Sequence, residues 1–110
     1  MPTAPSDFQI HRQVYNDLEQ IKDHNLDHAQ RCLDAIEDWE RQIQWGRVPQ
    51  QQMKYLTGSG PYNFYREWVG QSGYRVIYEI SNDTMTVLAV LPKGNDTYDL
   101  DELQRRMDRV

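Results

Sequence analysis

The chain has 110 residues, 17 of them acidic and 12 basic, for a formal net charge of −5. That length predicts one domain, residues 1–110, around one modest core, with no room for a separate regulatory module. The acidic balance excludes broad, non-specific attachment to nucleic acid, which runs on clustered Lys and Arg.

Residues 1–6, MPTAPS, read as a flexible tip lacking the basic and apolar regions of a secretory signal. No apolar run approaches the roughly 20 residues that span a bilayer, so no membrane association is expected. Asp7 to His11 (DFQIH) alternates apolar and polar residues and predicts a short strand. A helix follows from about Arg12, with Val14, Leu18 and Ile21 on one stripe and a break at His24-Asn25. A second helix is predicted from Asp27 to about Trp45, with Ala29, Cys32, Leu33, Ile36, Trp39 and Ile43 at helical spacing. Cys32 is the single cysteine and cannot close an internal disulfide, which points to intracellular, cytoplasmic residence. Its place on the apolar stripe predicts a buried thiol. Trp39 and Trp45 are expected to pack the helix.

Gly46 and Pro49 open an irregular stretch through three glutamines. Beyond Gly58-Ser59-Gly60-Pro61 the period becomes two. Tyr62 to Val69 predicts a strand, Gly70 to Gly73 a turn, and Tyr74 to Ile80 (YRVIYEI) the strongest strand of the chain. Ser81 to Thr84 is a second hairpin turn. Met85 to Leu91 (MTVLAVL) is nearly all apolar and predicts a strand buried on both sides. After Pro92-Lys93-Gly94-Asn95, a short polar helix runs from Leu100 to Arg109.

The order is thus β-α-α-β-β-β-α. It predicts an α+β fold in which a two-helix hairpin packs on a twisted antiparallel sheet of about four strands, with a short C-terminal helix.

This order resembles that of the RelE/ParE toxins of type II toxin–antitoxin systems, RelE-like members above all. Tyr65 to Ile80 (YREWVGQSGYRVIYEI) is similar to the family's aromatic-basic strand, turn and Gly-Tyr-Arg-aliphatic-aliphatic-Tyr run. MTVLAVLPKGNDTY continues it, and Met53 to Gly58 (MKYLTG) resembles the segment before the sheet. The resemblance covers Phe8 to about Leu103.

For the RelE-like branch it implies the toxin of a toxin–antitoxin pair, a ribosome-dependent messenger RNA endoribonuclease that inhibits translation. The implied reaction is attack by a ribose 2′-oxygen on the adjacent phosphate, with no metal and no cofactor. The matching positions are Arg66, Arg75, Lys93 and Tyr98 as catalytic residues, with Lys54 and Tyr74 as RNA contacts. The implied partners are a cognate antitoxin, in a hetero-oligomer, and the ribosome with its message. Two alternatives stand beside this: a ParE-like toxin that inhibits gyrase, and an inactive RelE-fold interaction module.

The chain departs from the pattern at Trp68, where active relatives carry a second lysine, and at Gly70, another common basic position. Between residues 61 and 98 three basic residues (Arg66, Arg75, Lys93) face four acidic ones (Glu67, Glu79, Asp83, Asp96). Arg75 has a purely structural alternative, pairing with Glu67 or Glu79. His11, His24 and His28 lack a clustered third ligand type, so no metal site is expected. Arg105, Arg106 and Arg109 suit either the dipole of the last helix or an acidic partner.

Overall fold

The structure is a computed structural model that describes residues 4–58, 60–70, 73–92 and 100–109. The first strand, β1 (Asp7–Ile10), gives way to helix α1 (Arg12–His24) at His11. The His11 backbone N–H donates to the Val87 carbonyl at 2.8 Å. Its Nδ1 accepts from the Gln13 N–H at 3.1 Å, so the residue that closes the strand also caps the helix.

One residue joins α1 to α2 (Leu26–Gln44). The Asn25 backbone N–H donates to Ile21 O at 2.7 Å and ends the first helix. Its side-chain oxygen accepts from the His28 N–H at 3.2 Å and starts the second. A short polar side chain on extended backbone does both, which is why the predicted break became a tight corner. Gly46, at φ +82°, ends α2 by donating to Ile43 O while the Arg47 N–H reaches Gln42 O.

After a turn of 3-10 helix at Pro49–Gln51 come β2 (Lys54–Tyr55), β3 (Phe64–Trp68), β4 (Tyr74–Ser81) and β5 (Thr84–Pro92). The sheet order is β1-β5-β4-β3-β2. The fold is α+β as expected, but the sheet has five strands instead of about four, and β1 runs parallel to β5. Two residues of β2 are too few to display a period, and alternation within a strand says nothing about its neighbour's direction.

The β4–β5 hairpin turns on Asn82 and Asp83, both at positive φ (+53° and +62°), the backbone shape that matches strand twist. Within β5, Ile77 pairs with Ala89 but Tyr78 with Val87, so Leu88 is an extra, bulged residue. The bulge re-phases the strand. Val87 and Val90 face one core, whereas Leu88 and Ala89 both face the other.

Two cores result, one on each sheet face. The α1–α2 face gathers Val14, Cys32, Ile36 and Trp39 against Val76, Tyr78, Met85 and Val87. Opposite it, α3 (Leu100–Asp108) sets Leu103 against Phe64, Ile77, Leu88 and Ala89. Each fully buried large aliphatic or aromatic side chain contributes about 1.5–3 kcal/mol. Cys32 is fully buried, and burial pushes its thiol pKa up to about 11. Trp39 is buried as expected, but Trp45 is not: it sits at the C-cap of α2 and is 74% exposed, because the helix ends before a further turn would carry it inward. No helix among the described residues is long and apolar enough to cross a membrane.

Candidate functional site

Alternation along β3 sends Phe64, Arg66 and Trp68 to the α3 face of the sheet, and Tyr65 and Glu67 to the α1–α2 face. Cross-strand register extends the first set. Lys54 on β2 lies directly opposite Arg66, Arg66 opposite Ile77, and Trp68 opposite Arg75. Lys54, Arg66, Trp68 and Arg75 therefore share one face, beside the end that α3 covers. Like charges directly opposite each other cost some stability, so Lys54 against Arg66 is an arrangement that packing alone does not favour.

Trp68 is where this patch converges. The Arg66 guanidinium carbon lies 5.1 Å from the Trp68 ring centroid and that of Arg75 5.5 Å, both within cation–π range. Arg75 is only 5% exposed and Arg66 is half-buried, yet the indole they flank remains 42% exposed. Two planar cations and a flat ring thus lie on the β3–β4 hairpin, whose turn end is closed by the Val69 N–H donating to Tyr74 O at 3.0 Å.

The acidic residues that weigh against this patch in the sequence are placed elsewhere. Glu67 faces α2, where it accepts a hydrogen bond from the Trp39 indole N–H. Burial there, with Asp38 nearby adding to it, lifts the Glu67 pKa to about 7 from its ordinary 4.5 against the opposing pull of that hydrogen bond. Glu79 shares the arginines' face but lies four residues along the strand from Arg75, roughly 13 Å away. It is buried, accepting from the Asn63 N–H and the Ser81 hydroxyl at 2.9 Å each. Asp83 is in the turn at the far end of the hairpin.

Tyr74 is not brought to this face. It pairs with Pro92, packs into the α1–α2 core and meets the His28 ring edge-on at 5.6 Å. Lys93 and Tyr98 lie outside the described residues, as does Asp96. The period of two from Tyr62 to Val69 already puts Trp68 on the face of Arg66, where the resemblance marks it as standing in place of a lysine; its contact with both guanidiniums is visible only in the fold.

Arg106 has a different role from either expected. Its Nη1 donates to Asp17 Oδ2 at 3.0 Å and to Leu88 O at 2.9 Å. Asp17 Oδ2 also accepts the Val90 N–H at 3.1 Å. These two side chains satisfy the edge of β5 beyond the end of β1, so α3 is tied to α1 around the sheet edge.

A family model described as "ParE toxin of type II toxin-antitoxin system, parDE" matches residues 8–97. Among solved structures, a chain of the archaeal RelE–RelB complex from Pyrococcus horikoshii OT3 is similar in fold, with a TM-score of 0.56 and 24% identity. The match covers 83% of this chain and 98% of that one. No curated protein matches. A helical hairpin packed on an antiparallel meander, matched by the family model over most of the chain's length, identifies this chain as a member of the ParE toxin family of type II toxin–antitoxin systems.

Proposed function

We propose that this toxin acts as a RelE-like, ribosome-dependent endoribonuclease whose substrate, messenger RNA, is held by the face carrying Lys54, Arg66 and Arg75. The observation that supports this most is the sorting of charge: in a chain of net charge −5, three cations share one sheet face, while among the described residues of β3 and β4 Glu67 is turned to the other face and Glu79 is held by Asn63 and Ser81. Guanidiniums offer planar, multiple donors that suit a phosphate whose charge grows in the transition state. In this reading the 2′-oxygen attacks the adjacent phosphorus. The bond to the 5′-oxygen breaks, leaving a 2′,3′-cyclic phosphate and a 5′-hydroxyl. Arg66 and Arg75 balance the developing negative charge, and Lys54 holds a flanking phosphate. Lys93 and Tyr98, assigned from the resemblance alone, supply proton transfer. A tyrosine, with an ordinary pKa of about 10, suits the acid that protonates the leaving oxygen.

The partner of this one-domain toxin is a cognate antitoxin, as the RelE–RelB pairing of the similar structure suggests. It silences the chain by covering the basic face.

A second reading, gyrase inhibition without cleavage, is favoured by the ParE description of the matching family model. Expression in a host lacking the antitoxin separates the two. The nuclease reading predicts rapid arrest of translation with truncated messages. Intact messages accompanied by DNA-damage signalling transfer the assignment to gyrase.

A further inference from the structure

Resting on the RNA reading above, we infer that Trp68 is a stacking platform for one nucleobase of the bound strand and that it biases the site towards purines. Three features carry this. The indole stays 42% exposed on a strand whose other side chains on that face are buried or half-buried. The Arg66 and Arg75 guanidiniums, at 5.1 and 5.5 Å from the ring centroid, hold the ring's orientation. Lys54, opposite Arg66, continues the positive charge alongside it.

The exposed part of the indole and the guanidiniums that lie over the ring match the two parts of a nucleotide, the first for a base to stack on and the second for a phosphate to pair with. An acidic peptide would use the cations equally well but would gain little from an exposed indole. Purines present the larger π-face, so they stack more strongly. The position that interrupts the family's run of basic residues thus exchanges one phosphate contact for a base contact, and Trp68 becomes a specificity-determining residue.

The test is binding of hexaadenylate and hexauridylate RNA at low salt. It is read by tryptophan fluorescence in a Trp45→Phe background, which removes the other exposed indole, and by anisotropy of end-labelled RNA. The expected result is quenching by both, tighter for hexaadenylate. Trp68→Phe should bind within a few-fold of the parent, whereas Trp68→Ala and Trp68→Leu weaken binding by roughly tenfold or more. Leu restores apolar packing without a π-face, so recovery of binding in Trp68→Leu would show a merely structural role and overturn the inference. Absence of Trp68-dependent quenching, or equal quenching by hexaglutamate, would also overturn it. Because cleavage is not read, base stacking without ribosome-dependent cutting would sink the nuclease reading alone.

Discussion

Glu67 is the residue whose environment most alters its chemistry. Half-buried against α2, where it accepts from the Trp39 indole, its carboxyl is displaced to about 7 from an ordinary 4.5. An acid whose folded pKa is raised favours folding in its protonated form. Its contribution is complete below about pH 4.5 and is lost as pH climbs through about 7. Urea unfolding across pH 4 to 8 should therefore show this group lowering stability with rising pH. Glu67→Gln, which keeps an acceptor for Trp39, should remove that part of the slope and be the more stable protein at pH 8. A parallel pair of curves would contradict the placement of Glu67.

Tyr78, the last residue of the Gly-Tyr-Arg run, is fully buried, and its hydroxyl has no hydrogen-bond partner among the described residues. An unsatisfied buried hydroxyl costs about 1–3 kcal/mol. Tyr78→Phe should thus raise the urea midpoint, by about 1 kcal/mol of stability at unchanged m-value. A loss of stability would mean that the hydroxyl is satisfied in solution.

Among the elements, α3 depends most on a single residue. It is nine residues long, too short to hold its shape alone, and Leu103 is its one fully buried apolar anchor. Arg106 adds the tie to Asp17 and to the β5 edge at the Leu88 bulge. Arg106→Ala strands a half-buried Asp17 and a backbone carbonyl, and should cost about 2–3 kcal/mol in thermal or urea unfolding. Arg106→Lys should recover only part of this, because a single ammonium on a shorter stem does not reproduce the second contact, from Nη2 to Asp17 Oδ1 at 3.5 Å. If Arg106→Ala unfolds like the parent, the tie around the sheet edge is not what holds α3.

The strands and helices themselves were largely legible. The Val14–Leu18–Ile21 and Ala29–Cys32–Ile36 stripes, and the switch to a period of two after Pro61, reflect local burial that each segment imposes on its own sequence. The bulge at Leu88, the two-residue β2 and the parallel β1–β5 pairing were not, since each depends on a neighbour distant in the chain. Trp45 was misplaced for a related reason: helical spacing continues past the residue at which Gly46 stops the helix.

Across the whole molecule, the sheet divides the charges that the sequence shows only as a mixture. Read linearly, Arg66 and Glu67 are adjacent and cancel. On the folded strand they occupy opposite faces, one beside Trp68 and the other under Trp39. The α1–α2 core takes Glu67 and Tyr74, and the other face keeps Lys54, Arg66 and Arg75, with Glu79 buried farther along β4. A net count over residues 61–98 thus underestimates how positive that face is, because counting ignores which side of a strand a residue takes. It also conceals Tyr74, which the resemblance groups with the RNA contacts and the fold places with the helices.

The most direct measurement is reconstituted translation with the purified toxin, with message ends mapped by primer extension, beside Arg66→Ala checked for native circular dichroism. Arg66 is half-buried and on the central basic strand, so its removal tests the face with least damage to the core. Ribosome-dependent cuts that slow by about a hundredfold in Arg66→Ala are the predicted result, the usual scale for losing one charge-stabilising donor. Intact message with the parent protein, or cutting undiminished in the variant, would contradict a nuclease built on this face.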